Sequence, residues 1–368
     1  MTSRERLSAA IQNKIPDHVP AAPDLWEMVP IRLMNGRPSW EMLLYNDPPV
    51  WKARADAARH FGVDGFFGLG IPLETNSREV IIFQSSEKII TQVLTENESG
   101  RLWAPTVTVY TPEEASAHGV KPSTVGLSPK PDQWKEISKN YSKTGRAYFE
   151  DAREYVGEDG LIGPMVYLPC LGSREEEVYE YYDDPDKVRE EKQQQGEAIL
   201  ETTREFLSWK PDMLFIGNSG LMLFNPEPVF RDLSLEWLKK ITAMAKAAGV
   251  PTHIHCCGPE KDLVRIAAEE TELCSIEPLE IPPMGDCNLK ELKRLYGNRI
   301  ALKGNLHTTD LMLRGTVQQV ADACRRAIDD AAESGGFILS TGDQTPRDTP
   351  EANICIMQEV AETYGSYR

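Results

Sequence analysis

The sequence predicts an α/β protein: a (β/α)8 TIM barrel with a β-rich insertion after its second strand. Three observations carry this. Short apolar runs alternate with amphipathic stretches over the C-terminal two-thirds, which is the pattern of parallel βα units. Two further apolar runs upstream bring the strands to eight, the number that closes such a barrel. Neither GxGxxG nor GxxxxGK[ST] occurs, although an open doubly wound sheet that binds nucleotides wants one after an early strand.

The opening MTSRERLSAAIQNK is charged and amphipathic without an apolar centre. It reads as a helical extension over about 1–18, not a secretory signal. Strand one is expected at 19–23 and strand two at 63–69 (VDGFFGL). From about 79 to 128 the rhythm breaks, and REVIIFQ and KIITQVL alternate like antiparallel strands, which marks the insertion. The remaining strands are expected at 161–167 (LIGPMVY), 213–217 (MLFIG), 251–257 (PTHIHCC), 273–276, 300–303 and 337–340 (FILS). Helices follow them at 186–209, 228–248, 260–270, 289–296, 316–333 and 350–364. Gln193–Gln195 is a polar run on a solvated helix face. The whole of 1–368 is read as one barrel domain.

A chain of 368 residues, 40% hydrophobic and 26% charged, is an ordinary globular protein and can bury a large core. Its net charge of −17 repels nucleic acid and anionic lipid, so neither is expected as a partner. No apolar run reaches the ~20 residues of a membrane span. Seven cysteines without a regular framework point to a reducing, cytoplasmic compartment, with sulfurs buried or acting as ligands.

Barrel active sites lie at the C-terminal ends of the strands. Those ends carry Trp26, Gly68, Cys170, Asn218, Cys257, Glu280, His307 and Asp343. The densest cluster is His253-Ile254-His255-Cys256-Cys257-Gly258. Period-two alternation puts His253, His255 and Cys257 on one face, and Ile254 packing outward turns that face into the barrel. His255 and Cys257 then lie near the rim, with nitrogen and sulfur donors that suit zinc, while His253 fills a deeper core position. A further ligand must come from another strand. Glu277 and Glu280 in SIEPLEIPPMGD are both candidates, and either can instead be a solvated loop carboxylate. Asp343 in STGDQTPRDTP is a ligand, a proton donor or a turn former. His307 in KGNLHTTD and Asn218 in IGNSGLM either orient a substrate or shape a loop. Trp26, Met28, Phe66, Phe67 and Met222 are large apolar residues, for most of which barrel core is the default role.

The order of LIGPMVYLPCLGS, HIHCCG, LKGNLHTTD and FILSTGDQTPRDTPEANI resembles the uroporphyrinogen decarboxylase superfamily, as does the opening RERLSAAIQNKIPDHVPAAPDLW. The resemblance covers nearly the whole chain and is weakest over 79–128. It implies the same barrel. The metal-free decarboxylases carry an arginine-rich RQAGR segment after the tryptophan near position 26; here the stretch reads PDLWEMVPIRLMNGRPSW, without it. The corrinoid-dependent methyltransferase branch holds zinc with an H-x-C pair and a later Cys. His255 and Cys257 match the pair, and Asp343 stands where the later Cys falls, a departure from the subtype that methylates coenzyme M.

EPLEIPPMGD, LKGNLHT and STGDQTPRDTP are most similar to the first methyltransferases of anaerobic O-demethylase systems. That resemblance implies transfer of a methyl group from a methoxylated, often aromatic, compound to the corrinoid of a separate protein. Zinc would sit on His255 and Cys257 with Glu280, and Asp343 would be a ligand or the proton donor. His307 and Asn218 would orient the substrate, beside Trp26, Phe66 and Met222. The family motif DxHxxG for a bound corrinoid is absent, and Asp17-His18 has the wrong spacing, so the corrinoid is expected on a partner protein. The superfamily also allows a homodimer. The alternatives are a methyl-corrinoid:tetrahydrofolate or thiol methyltransferase, a metal-free uroporphyrinogen-type decarboxylase, and a non-catalytic binding barrel.

Overall fold

The computed structural model describes residues 1–98 and 100–367. They form two compact units. One comprises Met1–Asp24, Ala58–Gly70 and the chain from Arg153 onward; the other comprises Leu25–Ala57 and Ile71–Ala152. In chain order the strands are β1 (Gly65–Leu69), β2 (Ser77–Gln84), β3 (Ile89–Asn97), β4 (Gly100–Tyr110), β5 (Ala117–Val120) and β6 (Lys135–Glu136). They continue as β7 (Gly160–Val166), β8 (Leu214–Gly217), β9 (Thr252–His255), β10 (Ser275–Glu277), β11 (Ala301–Leu306) and β12 (Phe337–Thr341).

The first unit is built on a parallel sheet in the order β1-β7-β8-β9-β10-β11-β12. Every residue of β7, β8, β11 and β12 is buried. Strands covered on both faces read as continuous apolar runs, which is why they stand out in the sequence. Helices alternate with them: Pro185–Ser208, Leu235–Ala247, Lys261–Glu270, Leu289–Tyr296, Val317–Ala331 and Glu351–Thr363. Lys261–Glu270 buries Leu263, Val264, Ile266 and Ala267, an apolar stripe at helical spacing. Thr316 and Gln319 form a capping box that starts Val317–Ala331. Gly196, next to the glutamine run, is buried because the Trp237 indole occupies the space a Cβ would take.

The expected first strand differs from the others. Ala21 forms a single parallel bridge to Leu339. Ala22 N donates to Leu339 O and Leu339 N to Pro20 O, each at 2.9 Å, while Asp64 N donates to Ala21 O on the other side. Pro20 and Pro23 have no N–H, so the ladder cannot extend beyond these bonds, and the sheet proper holds seven strands among the described residues. The helix expected over 228–248 is two helices, Glu227–Leu233 and Leu235–Ala247. They part at Ser234, whose hydroxyl donates to Pro169 O at 2.6 Å.

The second unit carries the antiparallel sheet β5-β4-β3-β2-β6. Trp40, Leu44, Ile81, Ile89 and Tyr110 form a buried cluster within it. The strands run from 77 to 136, wider than the expected 79–128. Among the described residues no helix is long and apolar enough to cross a membrane.

Candidate active site

β9 ends on His255, and alternation sorts its neighbours. Ile254 and Cys256 are fully buried on one side, and His253 and His255 point to the other. His253 is 0% exposed. Its Nδ1 lies 2.8 Å from Ser275 Oγ, and its ring packs edge-on against Phe66. It therefore belongs to the floor of the site.

His255 is the hub. Its Nδ1 lies 3.3 Å from Glu277 Oε1 at the end of the adjacent β10. Its Nε2 lies 3.8 Å from Asp343 Oδ1, which follows β12. Cys257 follows two residues on, and its side chain helps to hold a proton on the same ring. Ligand atoms of Asp24, His255 and Glu277 lie within 4.8 Å of one another. Asp24 follows the short 20–22 segment and is held there by its backbone, whose N donates to Thr341 Oγ1 at 3.0 Å and whose O accepts from Thr345 N at 2.7 Å. Asp343 has φ +97, a costly conformation for a residue with a Cβ.

Lys303 on β11 lies beneath this cluster and is 2% exposed. Its Nζ donates to Glu277 Oε2 and, at 3.1 Å, to Ser340 Oγ. Nζ also lies 5.2 Å from the centre of the Phe66 ring. Burial alone would push the Glu277 carboxyl up; Lys303, His253 and His255 reverse this and hold it well below the carboxylate range. Burial opposes the charge on His255, but the bonds to Cys257 and Glu277 raise it well above the ordinary histidine value. Asp24 goes the other way, pushed up to about 6 by burial and by the Glu277 charge. Glu280 is also raised by burial, although its Oε2 accepts from Gly258 N at 2.6 Å.

The other expected residues have definite places. Asn218 is buried and spends its amide on the loop after β7: Oδ1 accepts from Leu168 N at 2.8 Å, and Nδ2 donates to Leu168 O and Cys170 Sγ. His307 Nδ1 accepts from Asp310 N at 3.0 Å, and His307 borders a cavity of about 430 Å³ with Asn305, Leu306 and Arg326. Met222 is buried. Trp26 belongs to the second unit, where the Arg54 guanidinium lies 3.8 Å over its ring.

Asp24 and Lys303 were missed by the sequence reading. Asp24 immediately follows the expected strand one, whose expected end carries Trp26. A lysine inside the buried run ALKGNL is itself a signal, because a charge there needs a partner.

The arrangement offers nitrogen, sulfur and oxygen donors on one unit. Four carboxyl groups, Asp24, Glu277, Glu280 and Asp343, gather around His255, with Lys303 as the buried counter-charge. Glu277 and Glu280 are buried and Asp24 and Asp343 half-buried; such a gathering of acid is what a divalent cation neutralises, and the mixed donor set suits zinc.

Comparison with known proteins bears on this geometry. A methyltransferase from Methanosarcina mazei has the same fold: the match covers 99% of both chains at 18% identity with a TM-score of 0.66. Weaker likenesses include a pneumococcal exo-β-D-N-acetylglucosaminidase (10% identity, 62% of this chain and 66% of that one, TM-score 0.37). Another is a Sinorhizobium meliloti protein (15%, 60% and 83%, TM-score 0.33). No curated protein matches the sequence. The family pattern described as uroporphyrinogen decarboxylase (URO-D) matches residues 176–364. That stretch is just over half of the chain and carries β8 to β12, with His255, Glu277, Lys303 and Asp343, so the chain belongs to the URO-D family.

Proposed function

We propose that the protein is a methyltransferase that moves a methyl group from a methoxylated, aromatic donor to the Co(I) corrinoid of a partner protein, with zinc assisting the O-demethylation. The observation that carries this reading is the convergence of Asp24, Glu277, Asp343 and Cys257 on His255 at the strand ends. The full-length likeness in fold to a methyltransferase supports it. We also read the parallel strands as a closed barrel whose first strand is the short 20–22 segment, and the chain as one domain with an inserted β-sheet.

His255 and Cys257 would hold the zinc, with carboxylate oxygen from Asp24, Glu280 or Asp343. A bound zinc supplies a Lewis acid for the ether oxygen. The chain's own groups do the rest. Asp24, its carboxyl pushed up to about 6 by burial and the Glu277 charge, can, where it does not hold the metal, deliver a proton from its carboxyl oxygen to the leaving oxygen. Asp343, partly open to solvent at the strand end, is the alternative donor or a ligand. Phe66, packed against His253 and Lys303, gives the site apolar surface; Met222 would add to it, and His307, which borders its own cavity, would orient the substrate.

Two measurements test this. Zinc per chain, by mass spectrometry, should be about one in the wild type and little in Cys257→Ala when both are purified without added metal. Methoxylated aromatics supplied with cob(I)alamin should consume its Co(I) absorbance only when the protein is present. Failure to take up zinc, or ether turnover without any corrinoid, refutes the reading. Carbon dioxide release from uroporphyrinogen would favour the metal-free decarboxylase chemistry for which the family is named.

A further inference from the structure

The Glu277 carboxylate is used from both sides. Lys303 Nζ donates to Oε2, while Oε1 faces His255 Nδ1 at 3.3 Å. The same Oε1 lies 3.3 Å from His253 Nε2, but outside hydrogen-bonding geometry. Lys303 is fixed in turn by Ser340 Oγ and by the Phe66 ring. The chain Ser340–Lys303–Glu277–His255 thus crosses β12, β11, β10 and β9 and ends at the residue where the other donors meet.

A buried lysine–glutamate pair is a poor way to gain stability. Taking both charges out of water costs much of what their attraction returns, and apolar residues of similar volume commonly serve as well. A carboxylate set against one ring nitrogen of a histidine has a different use. It accepts a hydrogen bond from the N–H at that nitrogen, which fixes the tautomer and leaves the other nitrogen free to bind a metal. An ionised Glu277 can only accept, so Nδ1 must carry the proton. In the neutral ring that a metal requires, the lone pair is then on Nε2, the atom that faces Asp343.

We propose that Lys303 and Glu277 form a positioning pair for His255: Lys303 holds Glu277 in place, and Glu277 holds the His255 ring with Nε2 toward the donor cluster. Glu277 is then an orienting group and not itself a metal ligand. This rests on the zinc reading above.

The two possible roles of Glu277 make opposite predictions for Lys303→Met. If Glu277 were a ligand, removing the competing ammonium would free its charge and tighten zinc binding. If Glu277 is the orienting group, removing Lys303 loosens His255 and weakens zinc binding by about 10–100-fold, the usual loss for such outer partners.

The test measures zinc affinity by competition with a chromophoric chelator for wild type, Lys303→Met, Lys303→Arg and Ser340→Ala, together with the ring 15N shifts of His255 in the metal-free proteins at a pH high enough to leave the ring neutral. The expected result is weakened binding in Lys303→Met, substantial recovery in Lys303→Arg, and loss of the single Nδ1–H signature in Lys303→Met alone. Should Lys303→Met fail to fold, Ser340→Ala removes only a hydroxyl and should show a smaller loss of the same sign. Equal or tighter zinc binding in a folded Lys303→Met, or in Ser340→Ala when it stands in, overturns the positioning pair and leaves the zinc site intact. A wild type that takes up no zinc overturns both.

Discussion

Replacing Asp24 by asparagine probes the charge balance of the site directly. The carboxyl is pushed up to about 6, first by burial and then by the Glu277 charge, against the pull of Lys303. In the unfolded chain it titrates near ~3.9. The folded chain therefore binds this proton more tightly than the unfolded chain does. Between those two values the folded state holds more protons, so stability falls as pH rises through the window, and the loss is complete above it. A gap of about two pH units at ~1.4 kcal/mol each makes the ionised Asp24 cost about 3 kcal/mol near neutrality. Asp24→Asn removes that charge. With a chelator present, the variant should melt higher than wild type at pH 7.5, and the advantage should vanish by pH 4. Zinc should reverse the order, because the wild type gains more from binding it. Thermal unfolding followed by circular dichroism at both pH values, with and without zinc, is the assay. A variant less stable than wild type at both pH values, or an advantage that does not change with pH, refutes the assignment of Asp24 as an acid whose charge its surroundings disfavour.

Other perturbations read the scaffold that holds the site. Arg6 Nη1 pairs with the buried Asp64 at 2.9 Å, and Asp64 Oδ2 accepts from Ala21 N in the short first segment. Arg6→Ala strands that carboxylate and should cost about 3–5 kcal/mol in denaturant unfolding, whereas the double variant Arg6→Met/Asp64→Asn should recover much of the loss. Gly196→Leu drives a side chain into the Trp237 indole and should cost about 1–3 kcal/mol, with a shift in tryptophan fluorescence. Asn218→Ala removes both bonds to Leu168 and should lower thermal stability by about 1–3 kcal/mol while leaving zinc stoichiometry unchanged.

The parallel sheet was legible because its strands are buried on both faces, so apolar runs such as LIGPMV and FILS announce themselves. The 19–23 segment shows the limit of that signal. Its composition reads as a strand, but its two prolines restrict it to a few backbone bonds. Periodicity also placed His253 and His255 on one face of β9, and Cys257 lies just beyond the strand end. Asp24 and Lys303 reach His255 and Glu277 from strands distant in sequence, and no local pattern encodes such a meeting. The break at Ser234 depends on a bond to Pro169, 65 residues away, so the helical pattern across it gave no warning.

The composition of the donor set bears on which bond the site is built to break. Around His255 there is one thiol, Cys257, against carboxyl groups from Asp24, Glu280 and Asp343, with Glu277 already engaged by Lys303. Thiolates donate electron density to a metal and suit it to hold and activate another sulfur. Carboxylates donate less and leave a metal a stronger Lewis acid, suited to an oxygen that must accept charge as a carbon–oxygen bond breaks. Asp343 stands at the strand end in a strained backbone conformation that a local preference would not choose, so its place is set by the surrounding structure. Asp343→Cys separates the two chemistries. The added thiolate should preserve or tighten zinc binding while lowering ether demethylation and raising any methyl transfer to added thiols. Equal ether turnover in Asp343→Cys and wild type would show that oxygen donors at this position do not select the leaving group.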